Sequence, residues 1–301
     1  MPHDVVIVGG GPAGLSAALM LGRARKNALL CDSGPPRNAA AEHMHSFVTR
    51  DGIPPSEFRR IAREQLQPYA SVEVRDTRIE AIERQGKLFA VRLASSTVLT
   101  RRVLLCTGMV DEVPHTPGYR DLWGKSIFMC PYCHGYEVRD HAFGYVATSA
   151  QWLDFALFLK GWSKDVIAFT DGSFPVPAEA REKFERAGVR IEERRVIGLR
   201  SDGRGLAAVQ FEGGDEVARE ILFVRPPQHQ TALVASLGLA LDEQGFVRID
   251  AQHHTSVSGI HAAGDLTTPM QGALFAANAG SIAAAMLNHE LTMELVTEGV
   301  L

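Results

Sequence analysis

The hydrophobic pattern begins with Val5-Val6-Ile7-Val8, a continuous β-branched run of the kind a strand buried on both faces of a parallel sheet requires. Gly9-Gly10-Gly11-Pro12-Ala13-Gly14 follows, then an alanine- and leucine-rich stretch that predicts a helix to about Arg25. A second apolar run, Ala28 to Cys31, ends at Asp32. The chain therefore opens on a β-α-β unit with short connections. A polar helix is predicted from about Pro55 to Gln67, opened by Pro-Pro-Ser-Glu. Alternation from about Val72 to Leu99 predicts an antiparallel meander, and Leu104 to Gly108 closes the segment.

Beyond the proline-bearing stretch Val113 to Pro117 the pattern starts again. A strand near Phe143 to Ala147, a helix from about Gln151 to Leu159 and a strand Val166 to Phe169 make a second β-α-β unit. A helix at about Ala178 to Ala187 and several short strands run on to Val224. The last part is patterned like the opening one. Gly259 to Asp265 ends a strand, and Gln271 to Leu287 is a long helix of small residues. The expected fold is α/β, with two Rossmann-like, doubly wound, three-layer domains, the second inserted into the first. Residues 1–112 and 226–301 form the first domain in this reading, and 113–225 the insert.

Composition narrows the function. A chain of 301 residues supports two cores, and 46% hydrophobic with 22% charged residues is ordinary for a globular protein. A net charge of −4 with scattered basic residues argues against nucleic acid or an anionic membrane as partner. Apolar stretches break well short of the ~20 residues a membrane span needs. Met1 to Asp4 lead straight into a strand with no basic n-region or cleavage site, so the expected location is cytoplasmic. In that reducing compartment four cysteines do not suggest a disulfide framework. Cys31 and Cys106 stand alone in apolar runs, as small buried hydrophobes do. Cys130 and Cys133 are spaced as a pair.

Two constellations carry chemistry. In the first, Gly9 permits a tight turn, Gly11 lets a pyrophosphate approach the backbone, and Gly14 lets helix and strand pack closely. With Pro12 and Ala13 they open a helix whose free N–H groups suit phosphate, and Asp32 stands where a ribose hydroxyl is bound. A chance glycine-rich turn is the plain alternative, and the placement between a buried strand and a helix argues against it. In the second, Cys130-Pro131-Tyr132-Cys133-His134-Gly135, cysteines at i and i+3 on a first helical turn can close a disulfide, and a helix N-terminus lowers a thiol's pKa. Cys-x-x-Cys-His is also the c-type haem attachment signature, but that chemistry needs export. A zinc site lacks a second Cys-x-x-Cys and would depend on His141 or the His253-His254 pair. A redox pair is the expectation, with no metal.

The N-terminal fingerprint, Cys106-Thr107-Gly108, Ala262-Ala263-Gly264-Asp265 and the helix opening at Met270-Gln271-Gly272-Ala273 resemble, in order along nearly the whole chain, the FAD domain of the thioredoxin reductase family. The resemblance implies FAD as cofactor, a homodimer, and a flavin ribityl–phosphate contact at Gly264-Asp265. It sets the N-terminus of the final helix toward the isoalloxazine, where its dipole favours reduced, anionic flavin. Arg37, Asn38 and His45 lie where related enzymes wrap the FAD. In thioredoxin reductases an aspartate follows the cysteine pair; here it is His134. That variant resembles the flavin-dependent dithiol oxidases of the gliotoxin and holomycin type. By the matching positions, Cys133 faces the flavin and forms the charge-transfer thiolate. Cys130 is the outer thiol that forms the mixed disulfide, and His134 is expected to take a thiol proton because imidazole titrates near working pH, with a hydrogen bond at the helix start as its plain alternative. Glu137 is expected to be structural.

The thioredoxin reductases bind NADPH on the second β-α-β unit. Here the three small-residue slots fall on Ala147, Ser149 and Trp152, and the next strand ends in Asp171 without an arginine for a 2′-phosphate. The insert is expected to keep the fold, lose the nucleotide and carry the cysteines. Three functions follow: oxidation of a small-molecule dithiol with O2 as acceptor, NAD(P)H-dependent reduction of a thioredoxin-like protein, or non-catalytic redox sensing by a flavin-bound cysteine pair.

Overall fold

In the computed structural model, which describes residues 1–299, Val5 to Val8 lie in β1 (His3–Val8) and are all buried. Helix α1 (Pro12–Arg23) joins β1 to β2 (Ala28–Asp32), which runs parallel to it. Helix α2 (Pro55–Glu64) leads to β3 (Val72–Asp76), parallel to β2. The expected meander therefore starts later than Val72: a strand delivered by a crossover helix arrives parallel, and only hairpin-connected strands alternate direction. β4 (Ile79–Gln85), β5 (Leu88–Leu93) and β6 (Thr97–Leu105) form that antiparallel part, and the far half of β6 pairs parallel with β1.

The continuous apolar run of β1 has a physical reason. Val6 and Val8 face a core with Phe89, Val91 and Ile260, while Val5 and Ile7 face a second core with Ala17, Leu21, Ala283 and Leu287. A strand covered on both faces cannot alternate.

The chain forms two compact units, one of residues 1–39, 47–110 and 228–301, the other of 40–46 and 111–227. In the second, β7 (Ile127–Phe128) precedes a single turn of helix α3 (Pro131–His134). β8 (Phe143–Val146), β9 (Val166–Phe169), β10 (Arg190–Glu192) and β11 (Ile221–Val224) complete a parallel sheet in the order β10-β9-β8-β11-β7. Its core is aromatic: Phe143, Tyr145, Phe184 and Phe223 are fully buried. The helix expected over 151–159 is broken into a 3₁₀ turn (Ala150–Trp152), one α-turn (Phe155–Phe158) and a second 3₁₀ turn (Leu159–Gly161). Leu153, Ala156 and Leu159 are its buried positions, and a spacing of three suits the three-residue turn of a 3₁₀ helix.

Back in the first unit, β12 (Ile260–Ala262) adds to β6 in parallel, and α4 (Ala273–Thr297) runs beyond the expected end at Leu287. Its later turns carry Glu290 and Glu294, which pair with Arg102 on β6. No helix among the described residues is long and apolar enough to cross a membrane.

Candidate functional site

The glycine turn after β1 is held by close packing. Gly9 adopts φ +111°, and a Cβ on it would lie 2.4 Å from the Cys106 carbonyl oxygen. A Cβ on Gly14 would fall 1.9 Å from the Gly9 carbonyl oxygen. Gly11, by contrast, faces open space with no heavy atom within 4 Å of where a Cβ would sit. That is the face on which a phosphate can meet backbone N–H groups. Pro12 is the first helical residue, and Ala13 is buried against Gly264, so the Ala-Gly-Asp loop returns to this turn. Asp32 is buried at the end of β2. Its Oδ2 accepts from Arg59 and, at 2.8 Å, from Arg63, and its Oδ1 accepts the Gly34 N–H at 3.2 Å. The two arginines escape a reading of the sequence; their signal is an i, i+4 pair on one face of α2.

A second cluster forms at Asp265. Arg37 lies 3.0 Å from Asp265 Oδ2 and donates to Gln271 Oε1 at 2.7 Å. The Gly272 N–H donates to Asp265 Oδ1 at 3.4 Å, and Ala273 starts α4. Gln271 in turn donates to Gln228 at 2.9 Å, a residue that no sequence motif marks. Thr107 and Gly108 follow β6, and Asn38 is exposed beside Arg37. His45 is placed differently from the rest: it belongs to the second unit, with Nε2 3.6 Å from Glu137 Oε1. Residues 40–46 pack with the second unit, whereas Arg37 and Asn38 belong to the first. The open glycine face and the buried acid at one station, and Asp265 with Arg37 and a helix N-terminus at another, fit the two ends of a flavin dinucleotide.

Cys130 caps α3, with Cys133 in its first turn. The Cys130 thiol is lowered to about 7, chiefly by a hydrogen bond from Cys133. The backbone N–H groups of Cys133 and Tyr132 and the charge of Arg225 act in the same direction, against desolvation. Cys31 is different: burial pushes it up to about 11. Burial also raises Cys106, so both are inert. His134 stacks on Phe128 at 4.5 Å, and neither buried ring nitrogen has a hydrogen-bond partner. Burial, then the charge of His45, push it down to about 4. The expectation that it titrates near neutrality is therefore corrected: at pH 7 it is neutral, with a free lone pair.

The nucleotide slots of the second unit are altered in a way the sequence only half revealed. Trp152 does not wedge a helix off the strand; it is half-buried, with the Arg225 guanidinium 4.0 Å above its ring. Trp152 follows β8 and Arg225 follows β11, so the stack stands at the carboxyl ends of two adjacent strands, where a doubly wound sheet holds its ligand. Asp171 Oδ1 accepts the Val196 N–H at 2.6 Å. Arginines do stand by the end of β9, contributed by β10 and the turn after it. Arg190 and Arg194 both bind Glu192, which they hold down to about 2, and Arg194 also binds Asp215.

The family model described as pyridine nucleotide-disulphide oxidoreductase matches residues 3–283. The chain belongs to that family. Within it, the chain is an oxidoreductase of the thioredoxin reductase-like kind. Thioredoxin reductase tcpT of Claviceps purpurea is 33% identical over 312 residues, spanning 97% of this chain and 95% of that protein. Thioredoxin reductase aclD of Aspergillus oryzae is 32% identical, spanning 97% of each. Among solved structures, HlmI superposes with a TM-score of 0.93 at 37% identity, covering 99% of this chain and 95% of that one. An oxidoreductase from Agrobacterium tumefaciens follows at 0.91 and 34%, covering 97% and 99%.

Proposed function

We propose that the chain is an FAD-dependent oxidase that closes the disulfide of a small-molecule dithiol, with O2 as electron acceptor. The observation that carries the reading is the Trp152–Arg225 stack at the carboxyl ends of β8 and β11. It stands at the strand ends where a doubly wound sheet holds a dinucleotide, and Arg190 and Arg194 nearby are paired with Glu192 and Asp215. Electrons then enter from thiols. FAD, when bound, supplies a two-electron acceptor that O2 reoxidises.

The residues support a thiol-exchange sequence. A substrate thiolate attacks Cys130 in the Cys130–Cys133 disulfide, and Cys133 leaves as thiolate. The second substrate thiol attacks the substrate sulfur of the mixed disulfide, and Cys130 leaves. A thiol lowered to about 7 is a good leaving group at neutral pH. His134, neutral and held down to about 4, can hydrogen-bond a thiol but is too weak a base to keep its proton, which passes to solvent. The balance is one dithiol plus O2 giving one cyclic disulfide plus hydrogen peroxide. The names of the fungal relatives support a second reading, reduction of a thioredoxin-like protein by NAD(P)H.

Anaerobic mixing separates the two. The purified holoprotein is mixed with excess dithiothreitol, NADPH or NADH while the oxidised-flavin absorbance is followed. The dithiol is expected to bleach it rapidly, and both nicotinamides at least 100-fold more slowly, a difference of about 2.7 kcal/mol in barrier. Rapid bleaching by either nicotinamide overturns the oxidase reading and restores the reductase.

A further inference from the structure

Glu290, on the part of α4 that extends past Leu287, faces two histidines. Its Oε2 lies 3.4 Å from His254 Nε2 and 3.2 Å from His261 Nε2, and the three donor atoms fall within 4.8 Å of one another. Ligands on a tetrahedral cation with bonds of ~2.0–2.1 Å stand about 3.3 Å apart. We propose that His254, His261 and Glu290 form a binding site for a divalent cation of the zinc class, separate from the flavin and cysteine chemistry. Two imidazoles and one carboxylate are the donor set that zinc takes when a fourth position is left to water.

Three further observations point to a ligand. His261 is 0% exposed, in the middle of β12, yet neither ring nitrogen has a hydrogen-bond partner. Its 3.2 Å approach to Glu290 lacks hydrogen-bond geometry, as expected of two donors aimed at a common point. An imidazole buried with its polar atoms unpaired is costly, and a bridging cation would pair it. Next, the supporting shell is in place. Asp250 Oδ2 stands 2.9 Å from His254 Nδ1, so the neutral ring donates there and keeps its Nε2 lone pair for a metal. Arg102 holds Glu290 Oε1 at 2.7 Å and leaves Oε2 to the histidines. The arginine's charge opposes a cation, and Glu294, 3.0 Å from the same guanidinium nitrogen, shares it. Lastly, the ligands come from three segments: His254 bridges His261 across an antiparallel contact, His261 lies in the sheet, and Glu290 lies on α4. A cation would tie the last helix to the strand that leads into Gly264-Asp265. A plain imidazole–carboxylate pair would satisfy His254 and leave His261 with only a poorly aligned 3.2 Å approach to the same oxygen.

The test counts zinc on the intact holoprotein with Cys130 and Cys133 oxidised, so that thiols do not chelate. After stripping with EDTA, the protein is dialysed to equilibrium against graded Zn2+, and bound metal is read by elemental analysis. About one zinc per chain is expected. His254→Ala should weaken binding at least 100-fold, and Asp250→Asn, which keeps all three ligands, by roughly 10–100-fold. Zinc should raise the unfolding midpoint of the natural protein and leave that of His254→Ala unmoved. No saturable zinc, or undiminished binding in both variants, overturns the site. Should His254→Ala misfold, the Asp250→Asn affinity decides alone.

Discussion

Cys130 and His134 are neighbours in sequence with opposite electrostatics. Cys130 gains hydrogen bonds that favour its charged form, whereas His134 is buried without any that would favour protonation. The pair thus sets a thiolate beside a neutral imidazole at the same pH. The Cys130 shift has a named main cause, the hydrogen bond from Cys133. In the reduced protein, alkylation of Cys130 by iodoacetamide should reach half its limiting rate near pH 7, because only the thiolate reacts. Cys133→Ala removes the donor, so the midpoint should rise by about one unit, toward the ordinary thiol range near 8.5. Peptide mapping identifies the alkylated residue, and the rate is followed across the neutral range into mild acid and base. A midpoint that does not move in the variant would assign the shift to the backbone N–H groups or to Arg225 instead.

At the scale of elements, the close contact between α1 and α4 depends on a glycine that the fingerprint does not name. A Cβ on Gly280 would lie 2.0 Å from the Ala13 carbonyl oxygen, in the turn that also holds Gly14. Gly280→Ala should therefore destabilise the protein by about 1–3 kcal/mol through overpacking, even though alanine is the better helix former. The denaturant midpoint measures it; a neutral or stabilising result would mean α4 can shift outward freely. Gly280 illustrates what the sequence conceals. Strands β1 and β2, the glycine turn and the cysteine pair were legible because each is coded by consecutive residues with one period or spacing. The Arg59–Arg63 clamp on Asp32, the Arg225 stack on Trp152 and the cluster at Glu290 were not, because their partners are far apart in the chain and no local pattern joins them. The direction of β3 and the broken helix at 150–161 were misread because alternation and helical spacing are ambiguous over short runs.

At the scale of the whole chain, each unit has its own buried clusters, so the two need not unfold together. The three tryptophans offer a way to tell them apart. Trp123, Trp152 and Trp162 all lie in the second unit, and the first has none. Tryptophan fluorescence therefore follows the second unit alone, while far-UV circular dichroism follows both. If FAD binds the first unit through the turn at Gly11 and the cluster at Asp265, removing it withdraws stabilisation only there. The size is set by mass action: at a free concentration of about 100 times the dissociation constant, a ligand adds ~2.7 kcal/mol to the state that binds it. Stripped protein should show a dichroism transition that moves down or splits, with the tryptophan midpoint nearly unchanged, and added FAD should restore a single curve. Adding FMN instead should restore less, because it lacks the adenosine that the Asp32 end would hold. A tryptophan midpoint that falls in step with the dichroism would show the units unfolding as one cooperative body, and equal rescue by FMN would count against the dinucleotide reading of Gly11 and Asp32.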